Sequence, residues 1–137
     1  MKILAAISLV AAPAAAQLST SSFEAGKTLP LASGQWSYFA TADGSIATYG
    51  TQIQLRCERL SHTIIISRPN SGPATLTIAT DTLTRALPPS GRVSANDPLL
   101  DAIAMSRGRF IVSGGGAPTI AVPNWPEAAR SIEDCRN

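Results

Sequence analysis

Histidine and cysteine are scarce in this chain of 137 residues, and their scarcity limits the chemistry that it can perform. The single histidine, His62, lies between two predicted strands, and no Gly-x-Ser-x-Gly turn presents a catalytic serine. We interpret His62 as an exposed turn residue, with general-base catalysis as the alternative. Two cysteines without Cys-x-x-Cys spacing are too few for a zinc site and unlike a redox motif. We therefore predict no catalytic residue, no metal and no cofactor, and favour a protein that is not an enzyme.

An excess of charge is also lacking. The chain has 11 basic and 9 acidic residues, a formal net charge of +2 at pH 7. Such a balance argues against nucleic-acid binding and against strong electrostatic attraction to membranes. Asp97 and Asp101 lie four positions apart in a predicted helix, where helix capping explains them and a divalent cation is the alternative. The Gly114-Gly115-Gly116 run precedes no lysine and no helix, so we interpret it as a turn rather than a phosphate loop.

Long hydrophobic runs are confined to the start of the chain, where the pattern is that of a secretory signal peptide. Lys2, an apolar stretch over residues 3–12 and the small residues from Pro13 predict a signal peptide over 1–16, cleaved before Gln17. The apolar stretch is too short to span a bilayer, and no later stretch qualifies. A buried N-terminal helix or strand is the alternative. Cleavage would leave a periplasmic or secreted chain without a membrane span.

The two cysteines, Cys57 and Cys135, are 78 positions apart. An isolated pair in a small exported domain is most simply a disulfide, which contributes about 4 kcal/mol for such a loop in the chain-entropy model. Ile53, Leu55 and Cys57 share one face of a predicted strand whose other face is polar. We therefore expect Cys57 inside the domain and bonded to Cys135.

The rest of the chain divides into a flexible N-terminal arm over residues 17–34 and a single β-rich domain over 35–137. Asp43-Gly44 predicts a two-residue hairpin turn. Alternating and β-branched runs between Gly, Pro and Asn predict strands at 35–41, 45–50, 52–58, 63–67, 74–80, 82–87, 92–95, 109–113 and 119–122. We predict a mainly β fold: an antiparallel β-sandwich or curved sheet of seven to nine strands with two short helices.

The first predicted helix follows Asn96 and Asp97, either of which can accept hydrogen bonds from its first turn. Pro98 suits the first helical position, and an apolar stripe follows it. Gly108 is expected to end this helix in the left-handed conformation.

The second predicted helix is at the C-terminus. Asn124 can cap it, and Glu127 stands three residues after that cap, as in a capping box. We expect its apolar face to pack on the sheet, where the disulfide staples it. That face consists of Trp125, Ala128, Ile132 and Cys135.

Aromatic residues cluster around the first hairpin. They are Trp36, Tyr38, Phe39 and Tyr49. The alternation of Trp36 and Tyr38 favours a place in the core, and an exposed binding face is the alternative.

The candidate ligand-binding residues are Arg107 and Arg109, which flank Gly108. Two guanidinium groups so placed could clamp a carboxylate or a phosphate by bidentate hydrogen bonds. In the structural alternative, Arg107 caps the helix end and Arg109 pairs with an acidic residue. The candidate acidic partners of Arg109 are Asp101, Glu133 and Asp134.

Several of these features together carry a resemblance. They are Leu55-Arg56-Cys57, the element from Asp97 to Phe110, Val122-Pro123-Asn124-Trp125-Pro126-Glu127 and Glu133-Asp134-Cys135-Arg136. In this order, after a signal peptide, they resemble small uncharacterised exported proteins of Gram-negative bacteria. More distantly, the order is similar to the invasion-associated locus B family of periplasmic β-sandwich proteins, whose members also end in a helix after a Pro-containing strand. The chain lacks that family's fuller cysteine pattern, and neither resemblance implies a catalytic residue.

The leading functional hypothesis is a non-enzymatic periplasmic module that binds an envelope protein or a small anionic ligand. Its predicted surfaces are the Arg107 and Arg109 region and the first hairpin. A small periplasmic hydrolase, or a hydrolase inhibitor, acting at the cell wall is the alternative from another class. A purely structural envelope protein is the third hypothesis.

Overall fold

The computed structural model describes residues 23–69, 71–72 and 75–137. The predicted signal peptide lies outside these residues. A first helix, α1, includes the described residues 23–26. The other elements are β1 (Trp36–Thr41), β2 (Gly44–Tyr49), β3 (Ile53–Glu58), β4 (Thr63–Ser67), β5 (Leu76–Ala79), β6 (Thr84–Ala86), β7 (Arg92–Ser94), α2 (Pro98–Met105), β8 (Phe110–Gly114), β9 (Ala117–Val122) and α3 (Pro126–Arg136).

Nine strands in the described part of the chain form two antiparallel sheets. The five-stranded sheet has the order β1-β2-β3-β4-β7, and the four-stranded sheet has the order β6-β5-β8-β9. The prediction of a mainly β, sandwich-like fold with seven to nine strands is confirmed. The described residues contain three helices where two were predicted, and α1 is the additional one.

The core lies between the two sheets, because both present an apolar face to the interior. In β3, Leu55 and Cys57 are fully buried while Arg56 between them is exposed, so the predicted alternation is confirmed. Phe110 and Val112 supply the corresponding inward residues of β8. The apolar stripe of α2 enters the same cluster through Leu99, Leu100 and Ile103.

The first hairpin turns one residue earlier than its sequence indicates. Thr41 pairs with Gly44, so that Ala42 and Asp43 form the turn and Gly44 begins β2. A Cβ atom on Gly44 would lie only 2.2 Å from the backbone oxygen of Cys57. Glycine is therefore required here by the close approach of β3.

The C-terminal helix lies on the inner face of the five-stranded sheet, where the predicted disulfide between Cys57 and Cys135 is confirmed. Ala128 and Ile132 are buried with Cys135, as helical spacing predicts. The prediction that Trp125 is buried is wrong, because its side chain is about half exposed, at 49%. Trp125 precedes the helix in an extended conformation, so helical spacing does not apply to it.

The N-terminal caps that the sequence predicts for α2 and α3 have different outcomes. Asp97 accepts a hydrogen bond from the backbone N–H of Leu99 at 2.8 Å, which confirms the cap of α2. That helix ends earlier than predicted, because Ser106 is already extended while Gly108 takes its positive φ in the following loop. The capping role of Asn124 is also wrong, because no side chain caps α3.

Residues 23–34 belong to the predicted flexible arm but pack on the outer face of the four-stranded sheet. Phe23 and Leu29 cover the small apolar cluster formed by Ala79, Ile111 and Ala121. The backbone N–H of Ala32 also donates to the carbonyl of Ala121 at 2.8 Å. This covering segment therefore removes an apolar surface of the sheet from water.

Candidate functional site

The guanidinium group of Arg109 is engaged inside the protein. Its Nη1 atom donates to the backbone oxygens of Gly26 and Leu29, at 3.0 and 2.6 Å. These bonds hold the residue 23–34 segment on the sheet. The acidic partners proposed for Arg109 are wrong. Among the described residues, Asp101 and Glu133 both pair with Arg136, and Asp134 accepts from the Tyr38 hydroxyl.

Arg107 points elsewhere. Its side chain is 91% exposed, and its Nε atom lies 3.7 Å from a carboxylate oxygen of Asp81 in the loop between β5 and β6. The carbonyls of Ala104 and Ser106 at the end of α2 instead accept hydrogen bonds from the Asn124 amide. In this conformation, Arg107 and Arg109 have separate partners, and an acidic residue already faces the exposed one.

The first hairpin contributes mainly to the interior. Trp36 is buried, and its indole N–H donates to the carbonyl of Pro123 at 2.6 Å. The Tyr38 ring is partly buried under the guanidinium of Arg130, whose carbon lies 4.0 Å from the ring centre. Phe39 is 56% exposed. The core interpretation therefore holds for Trp36, while Phe39 faces outwards.

The other residues considered for chemistry have structural partners. Nδ1 of His62 lies 2.8 Å from the backbone oxygen of Cys135. Asp97 caps α2 and also pairs with Arg85, with both carboxylate oxygens within 2.7 Å of Nη1. Within the described ranges, no three His, Cys, Asp or Glu side chains are grouped so that they could hold a metal ion.

Arg68, a residue that the sequence does not single out, occupies the most unusual electrostatic position. It follows β4 directly, and only 7% of its surface is exposed. Its Nη1 and Nη2 atoms donate to the carbonyls of Gly114 and Pro118 at 3.1 and 2.9 Å, which connects the end of one sheet to the β8–β9 hairpin. Two of its five N–H groups are thus used by the backbone.

No carboxylate of the described chain neutralises Arg68. All nine acidic residues fall within the described part, and none of the ion pairs formed there includes Arg68. Burial lowers the pKa of the Arg68 guanidinium below its ordinary value, because the charged form loses hydration. The group remains protonated at neutral pH, so its described hydrogen-bond partners are two carbonyl dipoles and no negative charge.

Two cavities meet at Arg68. The first has a volume of about 390 Å³ and lies between the end of β4 and the loop that joins β6 to β7. The second, of about 310 Å³, lies beside the β8–β9 hairpin. Both are also lined by Ser71, whose hydroxyl donates to the backbone oxygen of Arg68 at 2.9 Å. Within the described part of the chain, no histidine, aspartate or glutamate lines either cavity.

Local sequence contains little signal for this arrangement. Arg68 stands between a strand and a Pro-rich loop, where an exposed arginine is the ordinary expectation. Its carbonyl partners lie 46 and 50 positions further along the chain. The available signal is that no acidic residue occurs between Glu58 and Asp81, so Arg68 has no acidic neighbour in the sequence.

No family model matches the chain, and no curated protein or solved structure matches it. The resemblance to the invasion-associated locus B family stays a prediction. None of the helices within the described residues is long and apolar enough to cross a membrane.

Proposed function

We propose that this chain is an exported, non-catalytic binding protein whose ligand is a small anion held by Arg68. The observation that carries the proposal is a buried guanidinium, without an acidic partner among the described residues, at the junction of two cavities. Export is supported by the signal-peptide pattern of residues 1–16 and by the disulfide, which is typical of oxidising compartments.

Electrostatics supports an anionic ligand. A buried charge is unfavourable unless it is paired, and the two carbonyls compensate only part of the lost hydration of Arg68. They also fix the orientation of the planar guanidinium, so that little side-chain entropy is lost when an anion binds. A bound carboxylate or phosphate would complete the pairing through charge-assisted hydrogen bonds.

A catalytic role has less support. The lining of the two cavities supplies serine hydroxyls but no described residue that could act as a general base beside them. His62, the one imidazole in the chain, lines neither cavity. We therefore favour binding over hydrolysis at this site.

The proposal is tested by isothermal titration of the disulfide-bonded protein with acetate, benzoate, hexanoate, sulfate and inorganic phosphate at constant ionic strength. We expect at least one of these anions to bind with one-to-one stoichiometry. Binding should weaken about tenfold or more in Arg68→Met, because a charged hydrogen bond is lost. Arg107→Met is the matched control and should bind like the unmodified protein.

Amide chemical shifts provide a test that needs no variant. Addition of the bound anion should shift the backbone amide signals of Arg68, Ser71 and Gly91, which line the first cavity. If Arg68→Met bound equally well, if the shifts fell elsewhere or if none of the anions bound, the proposal would be rejected.

An envelope protein is a second candidate ligand, favoured by the surface at the end of α2. Met105 is 80% exposed, and Arg107, two positions later, is exposed as well. Trp125 is 49% exposed and follows Asn124, whose amide is hydrogen-bonded to the end of α2. Met, Trp and Arg are the residue types enriched in protein interfaces. Crosslinking in living cells should capture one envelope protein repeatedly and lose it in Arg107→Ala/Trp125→Ala. Retention of the partner by that variant would exclude this surface.

A further inference from the structure

The wall of the first cavity differs in character from its charged end. Away from Arg68, its side chains are mostly aliphatic, and Leu76, Leu87 and Pro88 are among them. Leu76 and Leu87 are nearly buried, with 7% and 3% of their surfaces exposed, and they belong to the main core cluster. Among its described lining residues, the cavity therefore offers one positive group, an apolar wall and three serines, Ser67, Ser71 and Ser90.

Among the described residues that line this cavity and the adjoining one, Arg68 is the single charged side chain. A ligand with one negative charge is matched by one guanidinium. A phosphate or sulfate dianion would keep an uncompensated charge in a site with no second cation among its described lining residues. The two oxygens of a carboxylate also fit the parallel N–H groups of arginine.

From these two observations we infer that the ligand is a monocarboxylate with an apolar substituent, bound with its carboxylate at Arg68 and its apolar part against Leu76 and Leu87. This inference rests on the proposed function and specifies the ligand class of the same site. The volume of about 390 Å³ is within the range of small-molecule sites, roughly 300–1,000 Å³. A small acid with a short aliphatic or aromatic group is the expected size.

The experiment compares matched ligands by isothermal titration of the disulfide-bonded protein at pH 7. Acetate, butanoate and hexanoate vary the apolar part, hexanamide removes the charge, and inorganic phosphate removes the apolar part. Affinity should rise about fourfold for each methylene that is buried. Hexanoate should bind about tenfold or more tightly than hexanamide, and more tightly than phosphate.

Two leucine variants locate the apolar part. Leu87→Ala removes a wall of the cavity, whereas Leu83→Ala truncates a partly buried leucine of the same hairpin that does not line it. Hexanoate should bind several-fold more weakly to Leu87→Ala than to Leu83→Ala. The site is folded in both variants if their unfolding midpoints are equal. It is also folded if acetate shifts the same amide signals in each variant as in the unmodified protein.

The outcomes separate the inference from the proposed function. If phosphate bound as tightly as hexanoate and required Arg68, the anion-binding function would stand and the ligand class would be wrong. The ligand class would also be wrong if affinity did not change between acetate and hexanoate. If hexanamide matched hexanoate, or if no anion bound, both the function and the inference would fail.

Discussion

Cys57 of β3 and Cys135 of α3 are joined by a disulfide that fixes the last turn of the helix to the inner face of the five-stranded sheet. One helical turn earlier, the Ser131 hydroxyl accepts a hydrogen bond from the Ser45 hydroxyl at 3.1 Å, in a fully buried position. A covalent bond and a buried polar contact thus set the position of α3 at neighbouring points. The closed loop includes every described lining residue of the first Arg68 cavity.

We expect removal of the disulfide to lower the free energy of unfolding substantially. The double variant Cys57→Ala/Cys135→Ala should be less stable by about 3–5 kcal/mol, because the unfolded chain regains the freedom of a loop spanning 78 positions. Guanidinium denaturation, monitored by tryptophan fluorescence, measures the difference. Reduction of the unmodified protein with dithiothreitol is the control and should shift the midpoint in the same direction. A midpoint that did not move in either case would contradict a stabilising role.

Sequence periodicity identifies much of the fold because the relevant signals are local. The alternation in β3 and the cap of α2 by Asp97 each involve residues only a few positions apart. Trp125 and Gly108 were misassigned for a tertiary reason. Asn124 donates from its amide to the carbonyls of Ala104 and Ser106 instead of capping α3, and α2 ends at Met105 while α3 begins at Pro126.

The candidate site was less predictable than the fold. Arg107 and Arg109 form a conspicuous sequence pair, yet the partners of Arg109 come from a segment some 80 positions earlier. Arg68 shows the converse, because its isolation from carboxylates depends on where every acidic residue lies in space. Neither the partners of Arg109 nor the isolation of Arg68 corresponds to a pattern in the local sequence. The cavity at Arg68 therefore follows only from the order of the strands in the sheets.

The structure predicts different roles for the two arginines that flank Gly108. Arg109→Met should lower the free energy of unfolding by about 1–3 kcal/mol, because the carbonyls of Gly26 and Leu29 lose a charged donor. Arg107→Met should change it by less than about 0.5 kcal/mol, since its side chain is exposed and its contact with Asp81 is long. Urea denaturation of both variants measures the difference. Equal effects would contradict the internal role of Arg109.

The two tryptophans should respond differently to a quencher. Trp36 is only 4% exposed, whereas Trp125 is 49% exposed. In Trp125→Phe, the remaining emission should be blue-shifted and resistant to acrylamide, and in Trp36→Phe it should be red-shifted and readily quenched. Stern–Volmer constants of the two single-tryptophan variants measure this. A Trp36 signal that acrylamide quenched as readily as that of Trp125 would contradict the packing of β1.

The pKa of Glu58 offers a test of the contact between β3 and β7 across the five-stranded sheet. A hydrogen bond from the Arg92 side chain, with Nη1 2.9 Å from the Glu58 carboxylate, lowers the pKa of Glu58 below its ordinary value. Desolvation of the carboxyl opposes this hydrogen bond, and the charges of Arg92 and Arg56 act in the same direction as the bond. In Arg92→Met, the pKa of Glu58 should therefore rise, as measured by NMR titration of its side-chain carboxyl carbon.

The sign of the effect on stability follows from that direction. A carboxyl whose pKa is lower in the folded state contributes stability above its unfolded pKa, and this contribution disappears as the pH falls through the folded value. Arg92→Met should thus destabilise the protein at pH 7, and this effect should become smaller as the pH falls and Glu58 becomes protonated in both states. Arg56→Met, which removes a charge that acts only at longer range, is the matched control and should move the pKa of Glu58 less. If the pKa of Glu58 did not change in Arg92→Met, the ion pair between these strands would not form in solution.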